Sequence, residues 1–135
     1  MKTQLTIVCS LLLAVVVFAG ASPSPRNAGT SSDFETRCGW FENPTPANIW
    51  FYDREGEWTI GVRGGYQLPK HWPWPAFKSG QWVRTNGEHG YGGACFQMRV
   101  NKQTLDVLEI KTSRARPLTV CRRDPSLKKR PSIFK

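Results

Sequence analysis

The chain has 135 residues, with 19 Lys and Arg against 10 Asp and Glu, and a formal net charge of +9 at neutral pH. That length allows one domain and excludes a multidomain architecture. The charge is unevenly placed, with only +2 on residues 33–121 and +5 on residues 122–135, so a basic face built for nucleic acid is not expected.

The N-terminus has Lys2, an apolar run from Leu11 to Phe18, and then Ala19-Gly20-Ala21. This is the order of a signal peptide and its small-residue cleavage site, placed at residues 1–21. The run is shorter than the ~20 residues that a membrane span needs. Residues 22–32, SPSPRNAGTSS, hold no apolar side chain larger than Ala and read as a disordered linker. A single β domain is expected over residues 33–122, followed by a basic tail at 123–135. Such a tail reads as a solvated, mobile end, with contact to anionic envelope lipids or nucleic acid as the alternative.

Within the domain, Cys38 to Phe41 reads as a short apolar entry. Asn43-Pro44-Thr45-Pro46 follows as a stiff connector, because two prolines fix φ and remove two donors. Ile49 to Tyr52 reads as a strand, Asp53-Arg54-Glu55-Gly56 as a turn, and Glu57 to Val62 as a strand with Trp58, Ile60 and Val62 on one face. Residues 67–80, QLPKHWPWPAFKSG, exclude a central strand or helix through Pro69, Pro73 and Pro75. Gln81 to Thr85 is a short strand, Asn86-Gly87 a turn, and His89 to Gly93 a tight connection. Ala94 to Val100 alternates, with Ala94, Phe96, Met98 and Val100 inward. Leu105 to Thr112 and Pro117 to Cys121 read as the last strands. The fold class is therefore all-β: a small antiparallel sheet or partly open barrel with a Pro- and Trp-rich loop.

Chemistry-bearing motifs are sparse. There is no nucleophile elbow, zinc-protease helix or phosphate-cradling glycine loop, and no C-x-x-C pair for a metal. No cofactor is expected. One enzymatic alternative is concrete: a small secreted nuclease-like hydrolase using Glu88 as base, His89 as acid and Arg84 to hold phosphate. An exposed polar turn is the simpler reading of those three residues.

A binding role suits the aromatic residues better. Trp40, Trp50, Trp58 and Trp82 lie on strand-like segments and read as core. Trp72 and Trp74 lie on the proline loop, flanked by Lys70, His71 and Lys78. Pro73 between them is expected to throw the two rings to opposite sides, one anchored and one exposed. The expected ligand surface is Trp72, Trp74, Tyr66, Phe77 and Lys70, with an envelope glycan or protein as partner and no specific nucleic acid.

Arg37-Cys38-Gly39-Trp40, Asn43-Pro44-Thr45-Pro46, Trp58-Thr59-Ile60, Gly64-Gly65-Tyr66 and Ala94-Cys95 together resemble an exported bacterial family catalogued as Domain of Unknown Function 4087. The likeness covers roughly residues 36–122. It implies a signal peptide, a small domain, a periplasmic or secreted location and no assigned activity. The family pattern has Cys-Ala-Cys where this chain has Gly93-Ala94-Cys95. If the pattern makes two bridges, to the cysteines matching Cys38 and Cys121, the missing member leaves Cys95 bridged to one of them. A meander of the last strands would separate Cys95 from Cys121, which favours Cys38–Cys95 with Cys121 free; Cys95–Cys121 is the alternative.

Overall fold

The computed structural model describes residues 33–69 and 71–127. The expected signal peptide, the whole of the expected linker, Lys70 and the last eight residues lie outside them. Six strands form one sheet: β1 (Glu35–Thr45), β2 (Asn48–Tyr52), β3 (Glu57–Gly61), β4 (Trp82–Asn86), β5 (His89–Asn101) and β6 (Asp106–Arg116). The order is β1-β2-β3-β6-β5-β4, and β1 also pairs with β5. Five strands thus close into a ring, and β4 extends it along the first residues of β5. The all-β expectation holds. The sheet is mixed rather than wholly antiparallel, because Thr59 and Asp106 make a parallel bridge between β3 and β6.

Turn chemistry sets the hairpins. Asp53 Oδ1 accepts from Glu55 N at 2.7 Å and Gly56 N at 3.2 Å, which folds the chain between β2 and β3. Asn101 Oδ1 does the same for Gln103 N and Thr104 N between β5 and β6.

Alternation then fills the interior. Ala94, Phe96, Met98 and Val100 of β5 are wholly buried with Phe41, Phe51, Trp58, Ile60 and Val107. Cys38 and Cys95 face each other in the β1–β5 register and are joined by a disulfide. Cys121 is a buried free thiol.

Four local expectations change. Asn43-Pro44-Thr45 belongs to β1, not to a connector, because β1 gains partners on both sides and the turn is confined to Pro46 and Ala47. His89 to Gly93 is the start of β5, where small residues let β1 and β4 approach closely. Pro117 to Cys121 is not a strand. Pro117 sits at the N-terminus of α1 (Leu118–Arg123), where its fixed φ suits helix entry. A 3₁₀ turn, η1 (Pro125–Leu127), follows. Leu127, placed in the tail by its sequence position, is buried against the outer face of the sheet with Trp40, Tyr52, Leu118 and Cys121.

Candidate functional site

The proline loop closes over Phe41, a wholly buried ring on β1. Trp74 meets it edge-on at 4.8 Å and Trp72 at 6.1 Å, while Phe77 lies parallel at 6.2 Å. Trp72 and Trp74 stack on each other with centroids 5.1 Å apart. The expectation of rings on opposite sides is wrong. In an extended segment residues i and i+2 share a side, so Pro73 points away and both indoles point the same way. Trp72 and Phe77 are partly buried and packed on the core, and Pro75 is fully buried. Trp74 keeps 45 % of its surface in solvent.

Two features seat the loop. Phe77 packs on Trp82 at 4.8 Å. It also occupies the space of a missing side chain: a Cβ at Gly92 would lie 2.5 Å from Phe77 Cε1. The loop ends in a turn at Gly80, where Gln81 N donates to Lys78 O at 3.0 Å and Lys78 N to Gln81 Oε1 at 2.9 Å.

Between this loop and β4 runs a groove of about 530 Å³, with Trp74, Phe77 and Trp82 as its aromatic wall and Lys78, Arg84 and Glu88 as its polar groups. Trp82 and Arg84 stand on the same face as Phe96, because they pair with Gly92 and Gly90 of β5. Arg84 and Glu88 form an exposed ion pair at 3.1 Å. Trp82 Nε1 donates to Glu88 O at 3.1 Å, tying the hairpin tip to the groove. A second hollow of about 220 Å³ lies on the Trp72 side, lined by His71, Leu108, Arg99 and Glu109 among others.

The expected ligand residues are only partly brought together. Trp74 and Phe77 line the groove, and Trp72 stacks behind Trp74 at the second hollow. Tyr66 lies outside both hollows. Its hydroxyl donates to Val107 O at 2.7 Å, and burial, with Asp106 nearby, pushes its pKa up. Lys70 is not among the described residues. Of the nuclease-like set, Arg84 and Glu88 share the groove. With its amide nitrogen facing the Asn48 and Thr45 carbonyls, Asn43 places its oxygen 3.2 Å from His89 Nδ1. Gly92, Trp82, Arg99 and Glu109 were missed as site residues. The i, i+2 spacing of Trp82 and Arg84 on a strand could have signalled a shared face.

A second polar cluster sits at the other end of the interior face of β1. Arg37, 5 % exposed, donates to Asp53 Oδ2 at 2.6 Å, Glu35 Oε2 at 2.5 Å and Glu55 Oε2 at 3.0 Å, and its guanidinium lies 4.4 Å over the Trp58 ring. It pairs charge at this end of the interior, beside a hollow of about 440 Å³ that Arg37, Asp53, Arg54 and Asp124 help to line. Among the described residues no group of three or more His, Cys, Asp or Glu is placed to hold a metal ion.

A family model described as protein of unknown function (DUF4087) matches residues 32–128. The chain belongs to this family. The match spans the whole ring of strands and extends through α1 and η1, so the groove and the Arg37 cluster both lie within the family's domain. No curated protein and no solved structure matches the chain.

Proposed function

We propose that this family member is a non-catalytic binding module of the cell envelope, and that the groove beside Trp74 is its ligand site. The observation that carries the reading is the state of Trp74. Its indole is held by Phe41 and Trp72, yet 45 % of it faces solvent. A ring fixed in this way loses little side-chain entropy when a partner covers it. The groove volume falls in the ~300–1,000 Å³ range of ligand sites, and an aromatic wall with a few polar groups is their usual lining. The Cys38–Cys95 disulfide fits an oxidising compartment. Export follows from the signal-peptide reading, and N-terminal sequencing of the periplasmic product should begin at Ser22.

The test is Trp74→Ala, with melting temperature and retention on peptidoglycan and other envelope glycans measured side by side. Retention should fall roughly thirty-fold, the effect of losing an exposed aromatic anchor, with a stability loss of only about 1–2 kcal/mol from the two ring contacts. Equal retention by the variant, or no retention by the native protein on any of these polymers, would sink the reading. Incubation with RNA and DNA in chelator tests the hydrolase alternative of Arg84, Glu88 and His89; intact substrates remove it.

A further inference from the structure

We infer that the ligand is a linear acidic polysaccharide, a chain of sugars bearing carboxylates, and that it lies across both hollows rather than within one. The inference rests on the proposed binding role of Trp74 and adds the ligand's chemical class and its extent.

The indole pair stands between two similar surroundings. Trp74 borders the larger hollow and Trp72 the smaller. Each hollow carries one arginine paired with one glutamate: Arg84 with Glu88 at 3.1 Å, and Arg99 with Glu109 at 2.7 Å. Arg84 and Glu88 are largely in solvent, and Arg99 and Glu109 are partly so. Exposed pairs of this kind hold each other weakly, so either partner can be taken by a ligand. A guanidinium receives a carboxylate through two parallel hydrogen bonds. The neighbouring glutamate is then free to accept from sugar hydroxyls. The C–H face of a pyranose ring suits the negative face of an indole, and Trp74 offers such a face. A repeated set of donors and acceptors on the two sides of one aromatic wall matches a ligand whose own groups repeat. A compact molecule would use one side only.

Single-stranded nucleic acid also combines stacking with charge, but it needs a row of cations that follows the phosphates. Here each arginine carries a glutamate beside it, and Lys78 is the one further cation among the described residues lining the larger hollow. That balance favours a ligand with hydroxyls as well as anions.

The experiment is a tryptophan-fluorescence titration of the mature protein with four probes: polygalacturonate, its methyl ester, a galacturonate trimer and poly(U). Polygalacturonate should bind best. Its ester, which keeps the sugar chain but lacks the charge, should bind at least ten-fold more weakly, and the trimer should also be weaker. Arg84→Gln and Arg99→Gln should each weaken polygalacturonate binding roughly ten-fold, as expected for one charge-assisted contact, with unchanged melting temperatures. If the ester binds as well as the acid while Trp74→Ala still abolishes binding, the acidic class is wrong and the binding role of Trp74 stands. If Arg99→Gln has no effect while Arg84→Gln does, the ligand does not span the hollows. Tighter binding of poly(U) through the same residues would replace the polysaccharide with nucleic acid. Binding that ignores Trp74 altogether would overturn the binding role itself.

Discussion

Gly93 leaves a space that one more cysteine would fill. A Cβ built there lies 2.8 Å from Cys121 Sγ, near the separation of about 3 Å between a Cβ and its partner sulfur in a disulfide. Gly93→Cys should therefore oxidise onto Cys121. Thiol titration should find no free sulfhydryl, and stability should rise by about 3.5 kcal/mol from loop closure. A variant that keeps two titratable thiols would show that the neighbouring Arg116 backbone blocks the approach. Cys121 itself is 4 % exposed and bonded to Gly39 O at 3.4 Å. Burial is the largest influence on its thiol and pushes the pKa up. The folded protein then holds this proton more tightly than the unfolded chain. Its contribution is complete below the unfolded thiol pKa of about 8.5 and is lost as pH rises through the folded value. Cys121→Ala should lose less stability than the native protein between about pH 8 and pH 10, as read by denaturant melts. A simple meander of the last strands would put Cys121 far from Cys95. The Cys38–Cys95 pairing is present, but Cys121 lies against Gly93, two residues from Cys95. Helix α1 returns the chain onto β5, which a row of strands would not do.

The loop and β5 form one unit through a single glycine. Gly92→Ala would drive a Cβ into Phe77 and to within 2.7 Å of Gln81 O. It should cost about 2 kcal/mol, within the range for overpacking. It should also shift tryptophan emission to the red as the loop lifts from Phe41. Combining it with Phe77→Ala should recover part of the loss. A double-mutant cycle with no coupling would show that the loop is seated elsewhere. At the other end of the chain, Leu127→Ala should cost about 2 kcal/mol, measured by chemical denaturation, because this side chain anchors η1 to Trp40 and Tyr52. The proline content of residues 67–80 made the loop legible as non-regular. Its docking was not legible, because Phe41 and Gly92 lie far away in sequence.

For the whole molecule, ring closure is the dominant fact. β5 pairs with β1, β4 and β6, and the disulfide joins β1 to β5 across 57 residues of sequence. Cys38→Ser with Cys95→Ser should lower stability by about 4 kcal/mol on the loop-entropy relation. A loss below about 1 kcal/mol would mean that strand pairing alone holds the ring. The Arg37 cluster lies over Trp58 at one end of the interior and the aromatic loop covers Phe41 at the other. Arg37→Met should cost about 3–5 kcal/mol because it strands the buried Asp53 carboxylate. At temperatures well below its melt this variant should leave the Trp74 contribution to binding intact, since the larger groove belongs to the other end.

Alone, the sequence determined the inward faces of β3 and β5, but not the extent of β1, the start of β5 or the helix at Leu118. The alternation of Ala94, Phe96, Met98 and Val100, and of Trp58 with Ile60, is a local period of two that any extended chain must obey. It determined the Asp53–Gly56 turn for the same reason, because one carboxylate and one glycine suffice to make it. Only the tertiary structure decided that β1 runs through Pro44, that Trp74 stays half in water while Trp72 does not, and that Arg84 and Arg99 flank one indole pair. Each depends on strands closing into a ring, and closure joins residues whose separation along the chain carries no periodic signal.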